Sequence, residues 1–182
     1  MLKGKNINLR LTKESDLVVM DELYSDILSR GDYYPIDLLP LPEQKKRFAE
    51  NGFWTEHGGR MVITDKNDAV LGIIGFFKTM HYSNSYELGA ILYKPESRGK
   101  GIMGEALRIF CAYLFELKNI ERLQATCDVD NKASFGVLTK CGFKQEGIMR
   151  KAIFNKGRHE DLILLSLMRE DCKRLKETIE NL

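Results

Sequence analysis

Apolar residues along this chain recur in two rhythms. From Asn6 to Leu11 they alternate, which sets Ile7, Leu9 and Leu11 on one face and predicts a strand. The period then lengthens. Leu17, Met20, Leu23, Tyr24, Ile27 and Leu28 form a helical stripe, predicting a helix to about Ser29 with Ser15 as N-cap and Asp16 in its first turn. Gly31 and Pro35 break the stripe, and Tyr33 to Leu41 is an apolar loop. Pro42 suits the first position of a second short helix that ends near Gly52. Arg60 to Thr64, Val70 to Met80 and Tyr86 to Tyr93 read as strands. The first two are joined by an Asp65-Lys66-Asn67-Asp68 turn and the last two by His81 to Ser85. Met103, Ala106, Leu107, Phe110, Leu114 and Leu117 return at helical spacing over Ile102 to Leu117. Arg122 to Val129 predicts a strand, and Asp130 or Asn131 caps a short helix ending at Cys141-Gly142, with Gly142 at C′. Phe143 to Phe154 and Arg158 to Met168 form a last hairpin through Asn155-Lys156-Gly157, and Arg169 to Leu182 reads as a terminal helix. The order is β-α-α-β-β-β-α-β-α-β-β, an α/β (α+β) mixed sheet with helices on its faces. No repeat or linker divides it, so residues 1–182 read as a single domain.

Charge narrows the function. With 28 Lys+Arg against 26 Asp+Glu, the net charge of +2 makes no electrostatic case for a nucleic-acid partner. No apolar run is long enough to cross a bilayer, and the N-terminus carries no signal-like block. Cys111, Cys127, Cys141 and Cys172 lack metal-ligand spacing and read as reduced thiols of a cytoplasmic protein; His57, His81 and His159 are scattered. No metal site is expected.

One stretch carries chemistry: Arg98-Gly99-Lys100-Gly101-Ile102-Met103-Gly104-Glu105-Ala106, set between a strand and a helix. A helix N-terminus presents unpaired N–H groups and partial positive charge, and glycines let backbone approach a phosphate closely. The stretch lacks the Gly-Lys-Ser/Thr ending of a nucleoside-triphosphate loop. It is also not a dinucleotide fingerprint, which opens the first βαβ unit rather than lying mid-chain. A tight turn without a ligand stays open at this level.

Two motifs in order change that. The first is Tyr86-Glu87-Leu88-Gly89-Ala90-Ile91-Leu92 leading through Pro95 into the glycine turn. The second is Asn131-Lys132-Ala133-Ser134-Phe135-Gly136-Val137-Leu138-Thr139-Lys140-Cys141-Gly142-Phe143, with Glu146-Gly147 beyond. Together with Gly157-Arg158-His159-Glu160-Asp161, they resemble the GNAT superfamily of N-acetyltransferases, more narrowly its RimJ/RimL-type branch. The resemblance implies a mostly antiparallel twisted sheet splayed between the fourth and fifth predicted strands. It implies acetyl-CoA as cosubstrate and an amine acceptor, either a protein N-terminus or a small amine.

By the same resemblance, backbone from Gly99 through Gly101, Ile102, Met103 and Gly104 holds the pyrophosphate, with Arg98 and Lys100 adding charge. Ile91, Leu92 and Tyr93 line the pantetheine, with the Leu92 N–H as oxyanion donor, and Asn131 sits nearby. Glu87 is the expected general base. Ser134 or water returns a proton to the thiolate. Tyr33, Tyr34 and Asp37 are candidate acceptor contacts, and Asp32, Asp37, Glu56 and Glu87 could favour a cationic acceptor. The chain departs from the family at Met103, where Gly or Ala is usual, and at Leu138, where many members carry a tyrosine. Dimers are common in the family, so a homodimer is compatible with it. A catalytically silent acyl-CoA sensor and a nucleotide-binding protein are the competing readings.

Overall fold

The computed structural model describes residues 1–80 and 82–182, so His81 of the connecting segment lies outside the described residues. Strands are β1 (Leu2–Lys3), β2 (Asn8–Leu11), β3 (Gly58–Thr64), β4 (Val70–Lys78), β5 (Ser85–Leu92), β6 (Arg122–Asp128), β7 (Lys144–Asn155) and β8 (Arg158–Met168). Helices are α1 (Asp16–Ser25), α2 (Leu41–Asn51), α3 (Ile102–Leu117), α4 (Lys132–Lys140) and α5 (Leu175–Glu180). The eight strands form one sheet in the order β1-β2-β3-β4-β5-β6-β8-β7. Every neighbouring pair is antiparallel except β5 with β6.

Alternation sorts the sheet's two faces. Ile63, Ile74, Phe76, Leu88 and Leu123 meet α3, where Ile109, Phe110 and Leu114 are fully buried. Each such side chain contributes roughly 2 kcal/mol of apolar burial. On the other face Val62, Ile91 and Tyr93 pack on Met20 of α1, with Tyr24, Tyr34 and Ile73 at the margin. The sheet therefore lies between α3 and α1, with the end of β5 from Ile91 buried and Gly89 and Ala90 left exposed.

Several predicted boundaries shift for local reasons. Ser15 is helical (φ −62°, ψ −21°) and makes no side-chain cap. The Asp16 carboxylate instead accepts the Lys13 N–H at 2.7 Å and the Arg10 guanidinium at 2.7 and 2.9 Å. Helix α1 stops at Ser25, short of Ser29, because Asp26 accepts both the N–H and the hydroxyl of Ser29, a side-chain turn that competes with the helical ladder. The expected terminal helix is mostly absent. Arg169 turns its guanidinium back onto the carbonyls of Phe115, Lys118 and Ile120 at the end of α3, leaving only the six-residue α5. Elsewhere the predicted turns hold. Asp65 Oδ1 accepts the N–H groups of Asn67 and Ala69, Gly142 (φ 94°) ends α4, and Lys156-Gly157 (φ 48° and 82°) closes the last hairpin.

Candidate functional site

The glycine turn sits where β5 ends and α3 begins. Gly99 and Gly101 take φ of 74° and 80°, and a Cβ at either would meet nothing within 4 Å. Gly101 caps α3 with no side-chain bond, and the first helical N–H to find a partner is that of Glu105, on Gly101 O. The N–H groups of Ile102, Met103 and Gly104 thus stand at the head of a 16-residue helix without intrahelical partners. Met103 packs against the core, so its bulk is taken up by the helix stripe, and Gly104 is buried against Val137 and Arg108. Lys100 is exposed. Arg98 is committed locally: its Nη2 donates to Ser29 O at 2.5 Å and Leu92 O at 3.1 Å, tying the loop after α1 to the end of β5.

Beside this turn the sheet opens. β5 and β6 pair from Ser85↔Arg122 to Leu88↔Ala125 and no further. Past that point the orientation of β5 backbone follows from its register with β4. Tyr93 N–H bonds Leu71 O at 3.0 Å, so by antiparallel alternation Ile91 and Tyr93 spend their backbone groups on β4. Ala90 and Leu92 turn theirs toward the gap, and the Leu92 carbonyl, taken by Arg98, points that way. Glu87 lies in the last paired stretch. One carboxylate oxygen accepts from Thr126 Oγ1 at 2.8 Å and the other from Gln124 Nε2 at 2.9 Å, both on β6. A carboxylate offers about two acceptor sites per oxygen, so both oxygens retain capacity for a further donor.

The far lip of the gap is the start of α4. Asn131 caps it by accepting the Ser134 N–H at 3.0 Å. Burial pushes the nearby Cys127 thiol up, and the Ser134 hydroxyl pulls it partly back. The loop after α1 reaches this lip, where Tyr33 Oη donates to Asp130 O at 3.2 Å. Lys156 at the β7–β8 turn donates to Gly31 O at 3.0 Å. Tyr34 faces inward instead, edge-on to Tyr24, and burial pushes its phenol up to about 12. Asp37 is exposed, and its backbone carbonyl accepts from Arg30. Turn, gap, Glu87, Asn131 and Ser134 are therefore neighbours. Tyr33 and Tyr34 border them on different sides, and Asp37 lies further out.

One group escaped the sequence reading. A cavity of about 360 Å³ opens on the α1 face of the sheet, lined by Tyr34, Phe53, Arg60, Phe77, Gly89 and Ala90 among others. Arg60, Gly75 and Gly89 lie abreast on β3, β4 and β5, so two side-chain-free positions form its floor. The Arg60 guanidinium lies 3.6 Å from the Phe53 ring centroid, and its Nε and Nη2 are buried with no partner among the described residues. Burial depresses its affinity for its proton. The available signal was a lone arginine opening an apolar strand after two glycines, Gly58-Gly59-Arg60-Met61-Val62-Ile63.

The family model described as an acetyltransferase (GNAT) domain matches residues 6–144. The chain is 30% identical over 186 residues to the Bacillus subtilis (strain 168) protein named "Probable N-acetyltransferase YjcK", covering 94% of this chain and 98% of that one. Among solved structures, the ribosomal-protein-S5-alanine acetyltransferase from Vibrio fischeri superposes with a TM-score of 0.78 at 25% identity, over 94% of this chain and 97% of that one. The spermidine N-acetyltransferase from Vibrio cholerae, solved with CoA and spermine, shares the fold with a TM-score of 0.76 at 20% identity, over 91% and 97%. Among the described residues, no helix is long and apolar enough to cross a membrane.

Proposed function

The chain belongs to the GNAT family of acetyltransferases, and on that premise we propose that residues 1–182 act as one domain moving an acetyl group from acetyl-CoA to a primary amine. The observation that carries the reading is the opening between β5 and β6 beside an uncapped helix start, with the Leu92 backbone turned into it. The acceptor is a protein N-terminus or a small amine. The likeness to the ribosomal-protein acetyltransferase favours the first, and the fold shared with the spermidine enzyme keeps the second in view.

In this reading the N–H groups from Gly99 to Gly104 hold the pyrophosphate of the cosubstrate. Open space at Gly99 and Gly101 fits that use, since a phosphate can come close to bare backbone there. Lys100 adds charge. Arg98 acts through position as well, because its side chain holds the strand end against the loop after α1. The Leu92 N–H donates to the thioester carbonyl oxygen where negative charge develops. Asn131 keeps the start of α4 in place at the far lip.

The attacking amine must be neutral. Deprotonating an α-amino group at pH 7 costs about 1 kcal/mol, whereas a lysine-type amine costs roughly 4.6 kcal/mol. Glu87, oriented by Gln124 and Thr126, takes the amine's proton directly or through water. The N–C bond forms, the C–S bond breaks, and the departing thiolate takes a proton from the Ser134 hydroxyl or from water. The test is thiol release from acetyl-CoA across N-terminal peptides, polyamines and aminoglycosides. One class should be turned over in the parent chain, and Glu87→Gln should lower kcat at least tenfold with little change in acetyl-CoA affinity. Tight acetyl-CoA binding with no transfer to any amine would leave a sensor rather than an enzyme.

A further inference from the structure

Arg60 is an expensive residue to bury as it stands. A guanidinium carries five N–H donors, and two of its three nitrogens are here sealed from solvent without an acceptor among the described residues. An uncompensated buried charge costs several kcal/mol. The charged or titratable groups that act on it are the phenols of Tyr24, Tyr34 and Tyr93, and none is a carboxylate. A second guanidinium, Arg30, lies 4.3 Å from the Tyr24 ring centroid and 5.8 Å from that of Tyr34, with its own Nε and Nη2 unpartnered. Arg30 donates its Nη1 to Asp37 O and lies outside the cavity's lining, where, among the described residues, Arg60 is the charged residue and no carboxylate stands.

The surroundings are arranged around that charge. Phe53, beneath the guanidinium, is held at φ 58°, a left-handed conformation costly for a bulky residue, and its N–H is secured by Asn51 Oδ1 at 2.9 Å. Gly75 admits no side chain, since a Cβ there would lie 2.7 Å from Gly59 O and 3.1 Å from Arg60 Cβ. Gly89, abreast of Arg60 two strands away and so about 10 Å off, leaves the floor open toward the gap. Glu87 points from the same sheet face two residues earlier on β5.

We propose that the acceptor amine also carries an anionic group, a carboxylate or a phosphate, and that Arg60 receives this anion in the cavity while the amine reaches past Gly89 toward Glu87 on the same sheet face. The inference rests on the transferase reading above and narrows its substrate class. Nη1 is not sealed as Nε and Nη2 are, so its two N–H donors are the ones that meet either anion at the cavity wall. A polyamine, all cation, would leave Arg60 unpaired and add like charge beside it.

The experiment compares matched acceptors at saturating acetyl-CoA: leucine against leucinamide, phosphoethanolamine against ethanolamine, and spermidine alone. The anionic member of at least one pair should have a KM at least tenfold below its neutral partner, and the pair that responds separates carboxylate from phosphate. Arg60→Met should erase that preference by raising the anionic member's KM, and Arg60→Lys should restore part of it. Thermal melts of both variants establish that they fold. Calorimetry of the same pairs on the chain without acetyl-CoA is read independently of turnover. Arg60-dependent binding of an anionic amine with no thiol release overturns the transferase reading and leaves the anion site standing. Turnover of spermidine or neutral amines with no preference for anionic partners, or a preference that survives Arg60→Met, overturns the anion site and leaves the transferase.

Discussion

Replacing Gly101 by alanine separates the turn's shaping of the chain from its proposed binding of phosphate. Gly101 sits at φ 80°, ψ −6°. Holding an L-residue there costs about 1–2 kcal/mol, and the loss of glycine's unfolded-state freedom returns about 0.4–1 kcal/mol. No atom lies within 4 Å of the added methyl, so no clash is added. The net cost is about 1 kcal/mol, which for a chain of this size lowers Tm by about 2–4 °C. Binding changes more. A methyl in the open mouth of the turn displaces a phosphate oxygen from at least one charge-assisted N–H bond, worth about 1.5–3 kcal/mol. That raises the Kd for CoA by about ten- to a hundredfold. Gly52→Ala is the matched control. It too has positive φ (62°) and an open Cβ, but it ends α2 away from the turn. Titration calorimetry with CoA and a thermal melt on both variants read the two effects separately. Equal losses of Tm with a Gly101→Ala Kd within twofold of the parent would refute the phosphate role.

The Glu105 carboxylate, buried in the first turn of α3, accepts the N–H groups of Asn6 and Ile7 and the Asn6 amide. Glu105→Ala should therefore cost about 2–4 kcal/mol in urea unfolding, and Glu105→Gln, which keeps one oxygen, about 1 kcal/mol; equal losses would contradict this. Burial alone would raise the Asp16 carboxyl, but Arg10 and the Lys13 N–H outweigh it and hold it below its usual range. Its contribution is then complete above about pH 4 and fades as pH falls through the lowered value. Asp16→Asn should cost about 3 kcal/mol at pH 7, with the gap to the parent closing as pH falls below the ordinary carboxylate range; a gap independent of pH would refute the linkage. Ser134→Ala should lower kcat by about tenfold if its hydroxyl protonates the thiolate, and a rate within twofold of the parent assigns that proton to water.

What the sequence made legible was whatever local chemistry decides. Helix α3 runs from Ile102 to Leu117 as its stripe predicts, because Gly101 and the apolar period act on neighbouring residues. The same holds for the Asp65 turn, the Asn131 cap and Gly142. Features set by distant partners were not legible. β1 is two residues long and exists because β2 offers an edge. The end of the chain departs from a continuous helix because Arg169 finds carbonyls at and just beyond the end of α3, about fifty residues earlier. Arg60 looked like an ordinary strand residue, since its isolation appears only once Gly75 and Gly89 are brought abreast of it.

The short contact between β5 and β6 also has a mechanical meaning. The sheet is two plates, β1 to β5 and β6 with β8 and β7, joined along one seam from Ser85 to Leu88. Parallel pairing is slightly weaker per residue than antiparallel pairing, so this seam is softer than the longer β4–β5 and β6–β8 ladders beside it. Strain from either plate concentrates at the crotch where Leu88 meets Ala125, one residue from Glu87. Tilting one plate against the other widens or narrows the gap without breaking any antiparallel ladder. The seam and the proposed base thus occupy the same few residues.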